Sequence, residues 1–516
     1  MKAFLMHRDR DFDPEADLPP HEAALTQDLE LNTLLHAMAG GDKFLLGVAK
    51  RAVLVSLTEP DAILYRQEVV RDCLENPAVV REIYAIALEA IEREKRAHHF
   101  WREYPDGLLN ESTEVLSLFV GLLRKLRQIA EGHQAEFRSE GFTRFFGMLI
   151  SELDDSYLSV VEGHLRRLEF PDGVLMSAAL GTGNKGIQYV LRRPWNRKRG
   201  WKDRLLLRGD VGFDYQVADR DESGMRALAE LRGRGIGLVA IALAQSTDHI
   251  LSFFRMLRSE LGFCIGSLNL RERLAEKDEA VCFPEPLPAG DAALRGRGLY
   301  DACLSLSVVG RVVGNDLNAD NRPLVLITGA NRGGKSTFLR AIGVAQLMMQ
   351  CGMFVPAESY RASVCEKIFT HFKREEDAEM RSGKLDEELG RMSSIVDSIG
   401  RDSMVLFNES FASTNEREGS EIARQVVRAL LDAGIRVVYV THLFDLAHSF
   451  FDQDTARGLF LRAERQSDGH RTFRLVEGEP LPTSFGEDVY RQVFGAGAHA
   501  AAAAATATAS GLLLGG

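Results

Sequence analysis

"PLVLITGANRGGKST", residues 323–337, decides the fold. Leu324 to Thr328 is a continuous apolar run closed by one threonine, with no alternation. Such a run is a strand buried on both faces, as in a parallel sheet. A glycine-containing turn follows, and then an amphipathic helix from Lys335 to about Gln350. Between strand and helix, Gly329–Thr337 satisfies G-x-x-x-x-G-K-[ST]. Glycines in that position let backbone N–H groups curl around phosphate oxygens, and the helix N-terminus adds its positive end. Gly329, Asn331, Arg332, Gly333, Gly334, Lys335, Ser336 and Thr337 are therefore expected to bind ATP or GTP. Lys335 is expected to be a solvent-accessible charge reaching the β/γ-phosphates, and Ser336 to ligate Mg²⁺.

Further strands alternate with helices. "SMVLFN" (403–408) and "IRVVYVTH" (435–442) read as strands, with a helix near 417–433 between them. That alternation implies a parallel sheet with ligands at the carboxyl ends of its strands. The first of these strands delivers Asn408 and then Glu409. Phosphate-loop ATPases usually place Asp and Glu there, one serving Mg²⁺ and the other the attacking water. Asn408 keeps a carbonyl acceptor but loses the charge, so its Mg²⁺ contact is expected to be indirect and weak. Glu409 stands where the water must be oriented. The expectation is slow but real hydrolysis.

Composition narrows the partners. At 516 residues the chain has room for two to four domains, and its net charge of −11 makes the whole molecule no magnet for polyanions. One stretch reverses that sign: "LRRPWNRKRGWKDRLLLR" (191–208) carries Arg192, Arg193, Arg197, Lys198, Arg199 and Lys202 around Trp195 and Trp201. These are the candidate nucleic-acid contacts. No uninterrupted apolar run approaches the ~18–20 residues of a membrane span, and "IGLVAIALA" (236–244) is too short. No membrane partner is expected. The N-terminal segment has charges where a signal peptide needs an apolar stretch, and the six cysteines form no CxxC pair. Both point to a reducing cytoplasm.

Along the chain, 1–21 reads as polar, proline-bearing and loose. A helical region follows over 22–280, with an α/β domain over 281–495 and a low-complexity tail over 496–516. Asn76-Pro77 separates helices near 61–75 and 78–96. Val115, Leu116, Phe119, Leu122 and Leu123 recur at helical spacing, with Ser112 or Thr113 as the expected cap. Two β-like runs flank Gly181-Thr182-Gly183-Asn184, predicting a hairpin that opens a basic insert over about 171–222. Helical periodicity returns after Ser223 and lasts to about Lys277, interrupted only by Gly235 and Gly237.

The loop "TGANRGGKST" (328–337) has an asparagine two residues after its first glycine and a double glycine before the lysine. It resembles the MutS family of DNA mismatch-repair ATPases, whose loop reads T-G-x-N-x-G-G-K-S-T. Other segments match in order. "VGNDLN" (313–318) is similar to the family's adenine-side segment. "MRSGKLDEELGRM" (380–392) is similar to the segment that reaches the partner subunit's nucleotide, and "LFNESFASTNEREG" (406–419) to the magnesium strand and its loop. "YVTHLFDLA" (439–447) and "TSFGEDVYRQVFG" (483–495) are similar to the Thr-His strand end and the closing helix.

The resemblance implies an α/β P-loop ATPase domain of the ABC/MutS type, preceded by a helical lever region with a clamp-like β insert. It also implies ATP and Mg²⁺ as cofactors, His442 beside Glu409 as a sensor of the γ-phosphate, and Ser382, Gly383 and Lys384 as contacts in trans. A cytoplasmic homodimer gripping duplex or branched DNA follows, in mismatch repair or a related DNA-maintenance process. Mismatch reading is not expected, because no phenylalanine in the first hundred residues is followed two positions later by glutamate. The chain also looks short for a separate mismatch-recognition domain, and nothing in it resembles the small nuclease-type module that closes some relatives. The alternative is a nucleotide-dependent scaffold acting on RNA, the ribosome or a protein partner, with little or no hydrolysis.

Overall fold

In the computed structural model, residues 1–96, 104–171, 173–193, 216–218, 220–374, 383–466 and 471–481 are described. The strands among them are β1 (Met176–Leu180), β2 (Gly186–Leu191), β3 (Glu285–Leu287), β4 (Leu294–Leu299), β5 (Asn315–Asn318) and β6 (Leu324–Gly329). They continue with β7 (Ser359–Ser363), β8 (Ile368–Phe372), β9 (Met404–Asn408), β10 (Arg436–Val440), β11 (Gly458–Arg465) and β12 (Arg471–Glu477).

Every residue of β6 is buried, which is why its sequence shows no alternation. It lies inside a six-stranded sheet of order β12-β11-β6-β10-β9-β8. All neighbours in it run parallel except the β11/β12 edge pair. A smaller sheet of order β3-β7-β4-β5 accompanies it. The helix Lys335–Gln350 packs on β6, β9 and β10 and also on β4. It was expected to be amphipathic, yet it is buried almost all round, because a second sheet and the N-terminal helices cover its outer side. Its internal glutamines are satisfied: Gln346 donates to Ser363 O at 2.9 Å, and Gln350 to Cys365 O at 2.8 Å. The opposite face of the sheet is closed by Glu416–Asp432 and Phe444–Asp454, with Ala423, Val427, Leu446 and Phe450 in that layer.

The described chain divides into two compact units, and their limits differ from the sequence boundary at 280/281. One unit takes Leu5–Glu75, Ser139–Gly141 and everything from Gly262. The helices Leu31–Ala39 and Lys43–Leu54 bury Leu34, Leu35, Met38 and Val53 in the same core as the helix after the phosphate loop. Periodicity shows that a helix has an apolar face, not what that face meets. Residues 1–21 carry no helix or strand, but they are not loose: Leu5, Met6 and Phe12 are buried. The buried Arg66 ties them down, donating from Nε to Met6 O at 3.0 Å and from Nη1 to Cys351 O at 3.1 Å.

The other unit comprises Met1–Phe4, Asn76–Arg138 and Phe142–Leu261. Its helix Pro105–His133 begins at a proline ahead of Ser112 and Thr113, so neither caps it. Both are buried inside the helix, where Thr113 Oγ1 donates to Leu109 O at 2.8 Å. The hairpin forms around Thr182–Asn184, with Ser177 opposite Val190. The helix Glu222–Ala275 runs through Gly235 and Gly237 without a break. Beside Gly235 lies the flexible thioether of Met176 from β1, 1.7 Å from where a Cβ would stand. An 18-residue window of this helix has mean hydropathy 1.4 and is 28% buried, so by length and composition it could cross a membrane. Uninterrupted apolar runs do not reveal this, because the polar stretch from Gln245 to His249 ends the run and only the average over a longer window passes the test.

Candidate nucleotide site

The loop after β6 is shaped by close approach from β11. Gly329 has φ +101°, and a Cβ on it would stand 2.8 Å from Ala463 N. A Cβ on Gly333 would stand 2.6 Å from Ala463 Cβ. Gly334, with φ +89°, turns the chain into the helix, and Phe338 N donates back to Gly334 O at 2.9 Å. The helix N-terminus thus opens beneath a glycine cradle that side chains would fill, a fit for phosphate.

Lys335 departs from expectation. It is buried rather than solvent-accessible, and its Nζ donates to Gly329 O at 2.9 Å and Ala330 O at 3.1 Å. The loop wraps over the ammonium, whose nearest acceptors are the loop's own carbonyls. Burial lowers its pKa, Glu409 opposes that, and Arg471 adds to it. An anion arriving at the cradle would meet a cation already stripped of water.

Ser336 Oγ donates to Asn408 Oδ1 at 2.9 Å, joining the first turn of the helix to the end of β9. The hydroxyl keeps lone pairs for a hard cation, and Asn408 supplies a neutral oxygen beside it. Among the described residues no group of three or more His, Cys, Asp or Glu could hold a metal. A Mg²⁺ ion would therefore take most ligands from phosphate and water, which suits its chemistry.

The parallel register sets Asn408 opposite Val440, so both strands end at the same level. Glu409 N donates to Val440 O at 2.9 Å while Glu409 itself is left-handed, with φ +54°. The turn aims the carboxylate across the strand ends, where Glu409 Oε1 lies 4.0 Å from His442 Nδ1. Both side chains are about one third exposed, which leaves room for water. Lys335, Ser336, Asn408, Glu409 and His442 are thus brought together at the carboxyl ends of β6, β9 and β10.

Beside the loop lies a cavity of about 370 Å³ lined by Tyr300, Leu304, Val313, Asn315, Phe338 and Phe473, among others. Its largely apolar wall and its place against Arg332 and Gly334 fit a nucleobase. Val313 and Asn315 come from the segment expected on the adenine side. Asn315 also stitches the wall, donating to Phe473 O at 3.0 Å and accepting from Leu475 N at 2.7 Å. Tyr300, Phe473 and Arg471, whose Nε donates to Asn331 O at 3.3 Å, were not legible in the sequence. They reach the site through β4 and β12, and no local pattern marks them.

Gly383 and Lys384 begin the helix Lys384–Val396, and Ser382 lies outside the described residues. Arg192 Nε donates to Ser177 Oγ at 2.8 Å, bracing the hairpin, and Arg193 is exposed just beyond it. Arg197, Lys198, Arg199, Lys202 and both expected tryptophans lie outside the described residues, as does the 483–495 segment.

The family model described as MutS domain V matches residues 325–509, and the one described as MutS2 N-terminal domain matches residues 58–277. The two models match separate stretches that together make up most of the chain, and both describe domains of MutS-type proteins. MutS domain V is a P-loop ATPase domain, in keeping with the sheet and loop above. Relatives include an Endonuclease MutS2 of Lacticaseibacillus casei, 31% identical over 41% of this chain and 26% of that protein. A DNA mismatch repair protein MutS of Thermotoga petrophila is 36% identical over 34% of this chain and 22% of its own length. The probable DNA mismatch repair protein Msh6 of Drosophila melanogaster is 31% identical over 37% of this chain and 16% of its own. The matches span about a quarter or less of each of these MutS-family relatives.

Proposed function

We propose that this chain is a MutS-type, ATP-dependent DNA-binding protein that hydrolyses ATP slowly and uses the cycle to move its helical region on DNA. The observation that carries the reading is the convergence of the Ser336–Asn408 pair with Glu409 and His442 beside the glycine cradle. In this reading Gly329–Thr337 bind the phosphates and Lys335 releases its loop carbonyls to pair with the β/γ oxygens. Ser336 and, indirectly, Asn408 hold Mg²⁺. Glu409 orients the attacking water, and His442 senses the γ-phosphate. Bound Mg²⁺ would neutralise charge building on the transferred phosphoryl group.

The chain acts as a cytoplasmic homodimer, with Ser382, Gly383 and Lys384 reaching the partner's nucleotide. The helical region around the insert at about 171–222 serves as lever and clamp, holding duplex or branched DNA through Arg192, Arg193, Arg197, Lys198, Arg199 and Lys202. Phosphate release by the purified chain, measured with duplex DNA, branched DNA and RNA as competitors, tests the reading. Stimulation by DNA is expected. Binding without turnover, or preference for RNA, would replace it with the nucleotide-dependent scaffold.

A further inference from the structure

The turn that carries Glu409 is held from behind by a buried polar clamp. On the β9 side, Glu409 and Phe411 both have left-handed backbones, with φ +54° and +61°, on either side of Ser410. Two strained residues flanking one serine need external restraint to persist. Ser410 supplies it. Its hydroxyl lies 2.8 Å from His371 Nδ1 and also reaches His371 O, and its carbonyl accepts from Tyr439 OH at 2.7 Å. Ser410, His371 and Tyr439 are all fully buried.

The second imidazole nitrogen fixes the tautomer. His371 Nε2 lies 3.0 Å from Glu388 O, a carbonyl that can only accept, so Nε2 carries the proton. Burial keeps the ring neutral, with its pKa lowered to about 4. Nδ1 is then a lone pair, and the single Ser410 hydroxyl proton is shared between it and the His371 carbonyl, so both ends of His371 hold the serine. The ring stacks on Phe411, centroids 5.2 Å apart, so it cannot swing away. His371 sits on β8 opposite Phe407 and reaches forward along the sheet to grip the turn one step past the strand end.

We propose that His371 is a positioning residue for Glu409: through the Ser410 hydroxyl it holds the strained turn that aims the Glu409 carboxylate at the attacking water. The inference rests on the reading of Glu409 as the water-orienting group. It gives a role to a buried histidine that the phosphate loop does not touch.

Ser410→Ala removes the clamp with minimal change of volume, and His371→Phe removes both nitrogens while keeping a ring. In the full chain, each is expected to lower kcat roughly tenfold or more, since sub-ångström drift of a positioned group has that effect. Nucleotide Kd should stay within about twofold, because the phosphate cradle is untouched. The double variant should be no worse than the more severe single one. Ser410→Cys, which keeps a weak donor, should recover part of the rate.

In a Glu409→Gln background, Ser410→Ala should change the residual single-turnover rate by less than about twofold, because the group it positions is gone. Wild-type kcat in Ser410→Ala overturns the proposal. So does an equal loss in both backgrounds, which would mark the clamp as structural only. Wild-type hydrolysis by Glu409→Gln would instead remove the reading of Glu409 as the water-orienting group, on which the proposal rests. Should His371→Phe fail to fold, Ser410→Ala alone decides.

Discussion

The Ser336 hydroxyl donates to Asn408 Oδ1 at 2.9 Å, so an uncharged pair joins the first turn of the helix after the phosphate loop to the end of β9. A carboxylate there would add a charge-assisted bond to the hydroxyl and to metal-bound water, about 1.5–3 kcal/mol or roughly ten- to a hundredfold. Asn408→Asp should therefore lower the Mg²⁺ concentration for half-maximal phosphate release by about that factor. No change in the Mg²⁺ curve would show that Asn408 does not touch the water bound to the metal.

Lys335→Ala removes a buried cation held by Gly329 O and Ala330 O. Two carbonyls lose a donor, but the chain also sheds a desolvated charge, so the melting temperature should move little. Nucleotide affinity should fall at least tenfold, since each charge-assisted bond to phosphate contributes about 1.5–3 kcal/mol. Titration with a fluorescent nucleotide, beside a thermal melt, separates the two effects.

His371 gives the fold a pH dependence of definite sign. Burial holds its imidazole at about 4 against the ordinary 6.5, with Arg391 and Arg374 also opposing its charge. In that window the unfolded chain binds a proton that the folded chain refuses, so acid favours unfolding. The contribution is fully present above pH 6.5 and is lost as pH falls towards 4. It reaches at most about 3 kcal/mol. His7, lowered to about 3, adds in the same sense, while the buried Asp28 and Glu388 carboxyls, both raised, work against it. Denaturant midpoints from about pH 7 to 4 should fall less steeply in His371→Phe than in wild type. Parallel curves would contradict the assignment.

The φ of −65° at Gly383 suits any residue, and a Cβ there would meet nothing within 4 Å among the described residues. Gly383→Leu should fold and bind nucleotide normally as a monomer. If a second subunit's phosphates approach that backbone, the variant should lose the rise of ATPase rate with protein concentration expected of wild type. Identical concentration dependence in both would dismiss the contact in trans.

Arg193 leaves the braced hairpin exposed and leads into the basic segment. Replacing Arg197, Lys198 and Arg199 by Ala should flatten the log–log salt dependence of duplex binding by about 0.9 for each phosphate no longer neutralised. The effect should be the same on all sequences, because binding to phosphate positions a protein without specifying bases. An unchanged slope would move the binding surface elsewhere.

The local sequence determined what needs only nearest neighbours. The apolar run 324–328, the glycines at 329, 333 and 334 and the Asn408-Glu409 pair specified a buried strand, a phosphate turn and a strand end, because strand burial and left-handed turns restrict residue type directly. Asn76 and Pro77 likewise marked the break between the helices Pro60–Glu75 and Pro77–Arg96. What the tertiary structure alone decided was every question of what lies against what. It placed Lys335 under its own loop, put Leu34 and Met38 in the ATPase core, and set Ser112 and Thr113 inside a helix that starts at Pro105. It also brought Phe473 and Tyr300 to one cavity and His371 behind the Glu409 turn. These partners are far apart in the chain. Their proximity is fixed by strand order and layer packing, which no local period encodes.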